Sequence, residues 1–104
     1  MNIQFNTDKN IEGNAAFTAP YFAQIEEELR RYRQNISRIE VHLSDEDGSK
    51  NGFGAMRCMI EARVEGRQPI IVTNQADSHG QAVGGALDKL ITSLDTIMGR
   101  LRTH

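Results

Sequence analysis

The chain has 104 residues, 38% of them apolar and 25% charged, with a net charge of −2. That length suits one domain over residues 1–104 closing one modest core, with apolar content enough to fold on and far short of a membrane protein's. No run approaches the roughly 20 apolar residues of a membrane span, and the start MNIQFNTDKN lacks the basic-then-apolar layout of a signal peptide, so a cytoplasmic protein is expected.

Residues 2–7, NIQFNT, set Ile3 and Phe5 at alternate positions, which predicts a first strand. Asn14 and Thr18 are alternative caps for the helix that follows, and Pro20 fits the first turn of one starting at Thr18. Phe22, Ile25, Leu29, Tyr32 and Ile36 then recur at steps of three and four, an apolar stripe that predicts helix through this stretch. Residues 38–43, RIEVHL, alternate strictly, with Ile39, Val41 and Leu43 on one face and Arg38, Glu40 and His42 on the other. A long turn-rich connection over 44–54 leads to a third alternating strand, 56–65, with Cys58, Ile60, Ala62 and Val64 inward. Gly66 and Pro69 bracket a short turn before the strand PIIVTN. Ser78 and Gln81 have the spacing of a capping box. Beyond them Val83, Leu87, Leu90, Leu94, Ile97 and Leu101 form the stripe of a long last helix.

The predicted order is β-α-β-β-β-α, an α+β fold. Each helix has one apolar face and the strands alternate, so the economical assembly is a four-stranded sheet with two helices packed on one face and the other face wet.

The small net charge hides a segregation: RRYRQNISR, 30–38, carries four arginines and no acid, while EVHLSDED, 40–47, carries acids and no Lys or Arg. On the last helix Lys89, Ser93, Thr96 and Arg100 fall along one flank of the stripe, and Asp88, Asp95 and Arg102 along the other. Cations interleaved with hydroxyls suit a phosphate backbone, although similar mixtures also clothe ordinary helix surfaces. Glu26 and Glu27 stand four residues before Arg30 and Arg31, the spacing of internal helix pairs. Arg30 and Arg33 share a flank, and Arg33 and Arg38 have no acid four residues earlier, which leaves them for an outside anion.

Enzyme readings find little support. A lone Cys58 excludes an internal disulfide or zinc knuckle and sits by parity among inward residues, where a thiol is inert, while His42 lies on the opposite parity of another strand. The acids at 45–47 reach a glycine one position later, too early for a calcium loop, and Gly80–Gly85 lacks the lysine of a P-loop. No cofactor, metal or small-molecule substrate is expected.

The element order and the last helix together resemble the short ribosome hibernation-promoting factors and ribosome-associated translation inhibitors, the protein Y family. The resemblance lies in AVGGALDKLITSL with its Asp-Lys-Leu, in YFAQIEEEL of the first helix, and in the strand RIEVHL. It implies a fold related to double-stranded RNA-binding domains and a non-enzymatic protein on the small ribosomal subunit. There such a protein contacts ribosomal RNA and occludes the mRNA and tRNA path in stress or stationary phase. Lys89 matches the lysine of the motif, while Arg30, Arg33, Arg100 and Arg102 match the basic character of the helix segments. Gln24 stands where relatives often carry lysine, and with nothing after His104 the extra domain of long members is expected to be absent.

Gly84 and Gly85 cost about 1 kcal/mol each relative to alanine inside a helix. Their bare backbone lets the first turns approach either a neighbouring strand or an RNA backbone. The alternative function is a protein-interaction module pairing through the open sheet face, with Arg57, Met59, Glu61 and Arg63, or through an edge strand. On the first reading the free protein is a monomer or weak dimer.

Overall fold

A computed structural model describes residues 1–9, 11–46 and 56–102, with side chains as far as residue 99. The expected connection over 44–54 lies largely outside the described residues. The elements follow the order β1 (Asn2–Thr7), α1 (Ala15–Glu28), a 3-10 turn (Arg30–Tyr32), β2 (Ile36–Asp45), β3 (Met56–Val64), β4 (Ile70–Ala76) and α2 (His79–Arg102). The sheet order is β1-β2-β3-β4, with β1 parallel to β2 and the other pairs antiparallel.

Inward residues of the three later strands meet both helices in one core. Ile39, Val41, Leu43, Cys58, Ile60 and Ala62 from the sheet are buried with Ile25 and Leu29 from the α1 segment, and with Val83, Leu87, Leu90 and Leu94 from α2. Both helices thus lie on one face, as the alternation predicts. β1 is only half-buried on that face, and an aromatic chain seals it. Phe5 stacks on Tyr21 at 5.6 Å between centroids, Tyr21 meets Phe17 edge-on, and Phe17 meets His79 at the start of α2.

Asn14 decides the first helix start, because its side-chain oxygen accepts the Phe17 N–H at 2.9 Å. Pro20 therefore lies inside α1 rather than in its first turn, and its missing N–H leaves the Ala16 carbonyl without a helical donor. The stripe expected to run to Ile36 also breaks. α1 ends at Glu28, and i→i+3 bonds from Tyr32 N–H to the Leu29 carbonyl (2.9 Å) and from Asn35 N–H to the Tyr32 carbonyl (2.8 Å) turn the chain into β2. Leu29 and Tyr32 stay buried because a 3-10 turn repeats every three residues. Ile36 opens β2 instead, opposite Val64, and a bulge between Ile36 and Arg38 lets Ile36 and Ile39 both face the core despite their opposite parity.

Ser78 caps α2 by accepting the Gln81 N–H at 3.2 Å, and its hydroxyl donates to Gln81 Oε1 at 3.3 Å. One turn further along α2 the two glycines behave differently. A Cβ on Gly85 would fall 2.1 Å from Asn74 Nδ2, whereas one on Gly84 would meet nothing within 4 Å. Asn74, an inward polar residue of β4, uses that space to donate to the Gln81 and Ala82 carbonyls, 3.3 Å each. The close approach at Gly85 is therefore to a strand. Among the described residues no helix is long and apolar enough to cross a membrane.

Candidate nucleic-acid interface

The six cations singled out in the sequence fall into separate places. Lys89 projects from α2 over the β4 edge, where its Nζ donates to the Thr73 carbonyl at 2.7 Å while the residue stays exposed. It lines a hollow of about 390 Å³ with Val72, Asp88, Thr92 and Ser93. Asp88, expected on the opposite flank, thus shares this surface with Lys89. The hydroxyls of Thr92 and Thr96 donate to carbonyls of their own helix, Asp88 and Thr92 respectively, 3.0 Å each. That leaves their oxygens as acceptors, so the hydrogen-bond donation to phosphate expected of Thr96 is already spent on the backbone.

Arg30 and Arg33 come together, as their spacing predicts. They line a groove of about 340 Å³ with Met1, Ala23, Glu26 and Glu27 beside the start of β1. The expected Glu26–Arg30 and Glu27–Arg31 pairs are replaced. Arg30 pairs with Glu27 at 3.2 Å, and Arg31 reaches across to Asp95 of α2 at 2.7 Å while lying over the Tyr32 ring. The reason is the early end of α1: a four-residue pair needs continuous helix, and in the 3-10 turn three-residue neighbours align instead. Among the described residues Arg33 has no ion-pair partner.

Arg38 is not left for an outside anion alongside these. It lies on the open face, away from both helices, where its guanidinium pairs with Glu40 and donates to Gln4 Oε1 at 2.9 Å. The acid it lacks four residues earlier is supplied two residues later on the same face of the strand. The side chains of Arg100 and Arg102 lie outside the described residues, although α2 itself extends through them. Lys89 at the β4 edge and the Arg30–Arg33 groove beside β1 are thus separated by the width of the sheet, about 14 Å for three strand spacings. They form two cationic positions rather than one ribbon.

Two structural ties were missed in the sequence, Arg31–Asp95 and Asn74 with the α2 carbonyls. The second leaves a trace there, since Asn74 is a polar residue on the inward parity of Ile70 and Val72. Cys58 is buried, and its burial pushes the thiol up to about 12 with only a small opposing effect from Arg57, so it stays protonated and unreactive at neutral pH. His42 sits on the open face with Nε2 3.5 Å from Glu40. Among the described residues no group of three or more His, Cys, Asp or Glu is placed to hold a metal ion.

The four-stranded mixed sheet with β1 parallel to β2 and two helices over one face is a fold shared with solved structures. A ribosomal subunit interface protein from Coxiella burnetii superposes with a TM-score of 0.72 at 19% identity, over 95% of this chain and 99% of that one. The Protein Y N-terminal domain of Thermus thermophilus gives the same TM-score at 24% identity, over 93% and 99%. The fold is shared along nearly the whole of each chain, and both neighbours match the family that the sequence resembles. No family model matches the chain. No curated protein matches it either.

Proposed function

We propose that this protein is a non-enzymatic, cytoplasmic ribosome-binding factor that inhibits translation by occupancy during stress or stationary phase. It sits on the small subunit, contacts ribosomal RNA and occludes the mRNA and tRNA path. The observation that carries this reading is the near-complete fold likeness to a ribosomal subunit interface protein and a Protein Y domain, joined to the Asp88-Lys89-Leu90 motif on α2. RNA contact falls to the helix side of the molecule, at Lys89 and at Arg30 with Arg33, with Arg100 and Arg102 continuing α2. Arg38, across the sheet, takes no part.

Co-sedimentation with purified small subunits across a salt series tests this. Phosphate contacts release counterions, so each lost contact lowers the salt slope by about one, and binding held by 6–10 contacts falls by about 10³–10⁵ between about 50 and 200 mM salt. Lys89→Glu combined with Arg33→Glu is expected to abolish co-sedimentation while leaving the circular dichroism spectrum unchanged, because both side chains are exposed. Absence of wild-type binding, or binding indifferent to salt, refutes the reading.

A further inference from the structure

Apart from Arg57, which lies further along β3, the ionised side chains of the open face fall in two stripes running across the strands. Arg38 of β2 stands directly opposite Arg63 of β3, and Glu40 directly opposite Glu61. Like charges in directly opposed positions are unfavourable within a sheet. Their ionic relief among the described residues comes along each strand, where Arg38 meets Glu40 and Arg63 Nη2 lies 3.8 Å from Glu61, with a neutral partner for Arg38 in Gln4 of β1. That relief is incomplete: Arg63 is loosely held and its side chain 57% exposed. Arg38 Nε, shielded from water, has no acceptor among the described residues. The arginine row continues past Arg63 to Pro69, just before β4, and the glutamate row to Ile71, the large apolar side chain left 59% exposed.

We propose that this face docks a second copy of the same chain about a two-fold axis that lies across the strands, between the arginine and glutamate rows. Such an axis sets each strand antiparallel over its own copy and exchanges the two rows. Arg38 and Arg63 then face the partner subunit's Glu40 and Glu61, and the reverse, giving four intermolecular ion pairs. Ile71 covers the partner subunit's Pro69, and Gln4 faces the partner subunit's Asn2. An axis parallel to the strands would instead set arginine over arginine. The charge pattern therefore selects one geometry, isologous and closed. Within the strands this face carries Arg38, Arg57 and Arg63 against Glu40 and Glu61, one positive charge in excess, so it offers a polyanion little net attraction, and the helix side remains free in the dimer. The contact is small and mostly charged, which places it at the weak end of protein interfaces, with association in the range of about 0.1–1 mM.

Analytical ultracentrifugation of the free protein over that concentration range is the test, at low salt and at about 0.5 M salt, where charges across a partly exposed contact are screened. A monomer–dimer equilibrium that weakens at least severalfold with salt is expected. Arg63→Glu and, separately, Glu61→Arg each set like charges together and are expected to give a monomer. The exchange Glu61→Arg with Arg63→Glu puts opposite charges back in register and is expected to restore the dimer. A protein monomeric throughout at low salt, a dimer that survives either single reversal or ignores salt, or an exchange variant that stays monomeric overturns the proposal. None of these outcomes depends on ribosome binding.

Discussion

Gly84 and Gly85 are neighbours in one helix, yet replacing each by alanine is expected to move stability in opposite directions. In a helix interior the exchange gains about 1 kcal/mol from propensity alone. At Gly84 nothing offsets that gain, because a Cβ there meets open space. At Gly85 the new Cβ would sit 2.1 Å from Asn74 Nδ2 and 2.7 Å from its Cγ, so the amide must swing away from the Gln81 and Ala82 carbonyls. Two hydrogen bonds at about 0.5–1.5 kcal/mol each are lost, leaving Gly85→Ala unfavourable by about 0–2 kcal/mol and separating the two variants by about 1–3 kcal/mol. Urea unfolding followed by circular dichroism resolves that difference. In a domain of this size about 1 kcal/mol also moves Tm by roughly 4–8 °C. Adding Asn74→Ala completes a cycle in which the cost of Gly85→Ala should vanish. Equal effects at the two glycines, or a Gly85→Ala cost that persists without Asn74, would refute the reasoning.

Breaking the Arg31–Asp95 contact should matter little, because both side chains are half or more exposed. A double-mutant cycle with alanine is expected to return a coupling of about 0.2–1 kcal/mol that shrinks in salt, and a larger value would mean that the pair locks the 3-10 turn onto α2. Burial raises the Cys58 thiol from 9.0 to about 12, so the folded chain keeps a proton that the unfolded chain releases above pH 9. The resulting stability is intact below about pH 9 and is lost as the pH climbs towards about 12. Wild-type urea midpoints should therefore fall more steeply between about pH 8 and about 10.5 than those of Cys58→Ala, and parallel slopes would contradict the burial argument.

Elements whose periodicity was unbroken were legible in the sequence. β2 and β3 follow from strict alternation, β4 from the run PIIVTN after the Gly66–Pro69 turn, and α2 from its stripe, because a half-buried strand and a half-buried helix impose different spacings on the same apolar residues. The end of α1 was not legible, for a physical reason. Leu29, Tyr32 and Ile36 are separated by three and four residues, a spacing that a helix, or a 3-10 turn followed by a bulged strand, satisfies equally well. No glycine marks the stop, and the deciding events are the hydrogen bonds that β2 makes with β1 and β3, which lie far away in the sequence.

The same limit applies to the candidate site. Projection onto a helix gives the direction of a side chain around its own axis and nothing about where that axis lies. It correctly grouped Arg30 with Arg33, which share one short segment, but could not show that Lys89 stands at the other edge of the sheet. It also treated an ion pair as removing an arginine from service, and exposure argues otherwise for one of them. The Arg30 and Glu27 side chains are 70% and 68% exposed, so their pair is worth at most about 1 kcal/mol. A charge-assisted, bidentate hydrogen bond to phosphate compensates for that loss. Arg30 can therefore exchange Glu27 for phosphate with little penalty and act beside Arg33, whereas Arg38 faces away from both helices whatever the strength of its pair with Glu40. On the proposed function, position in the fold, more than pairing, decides which of these cations can meet RNA, and two separated cationic positions would impose a spacing on the phosphates that a single ribbon would not.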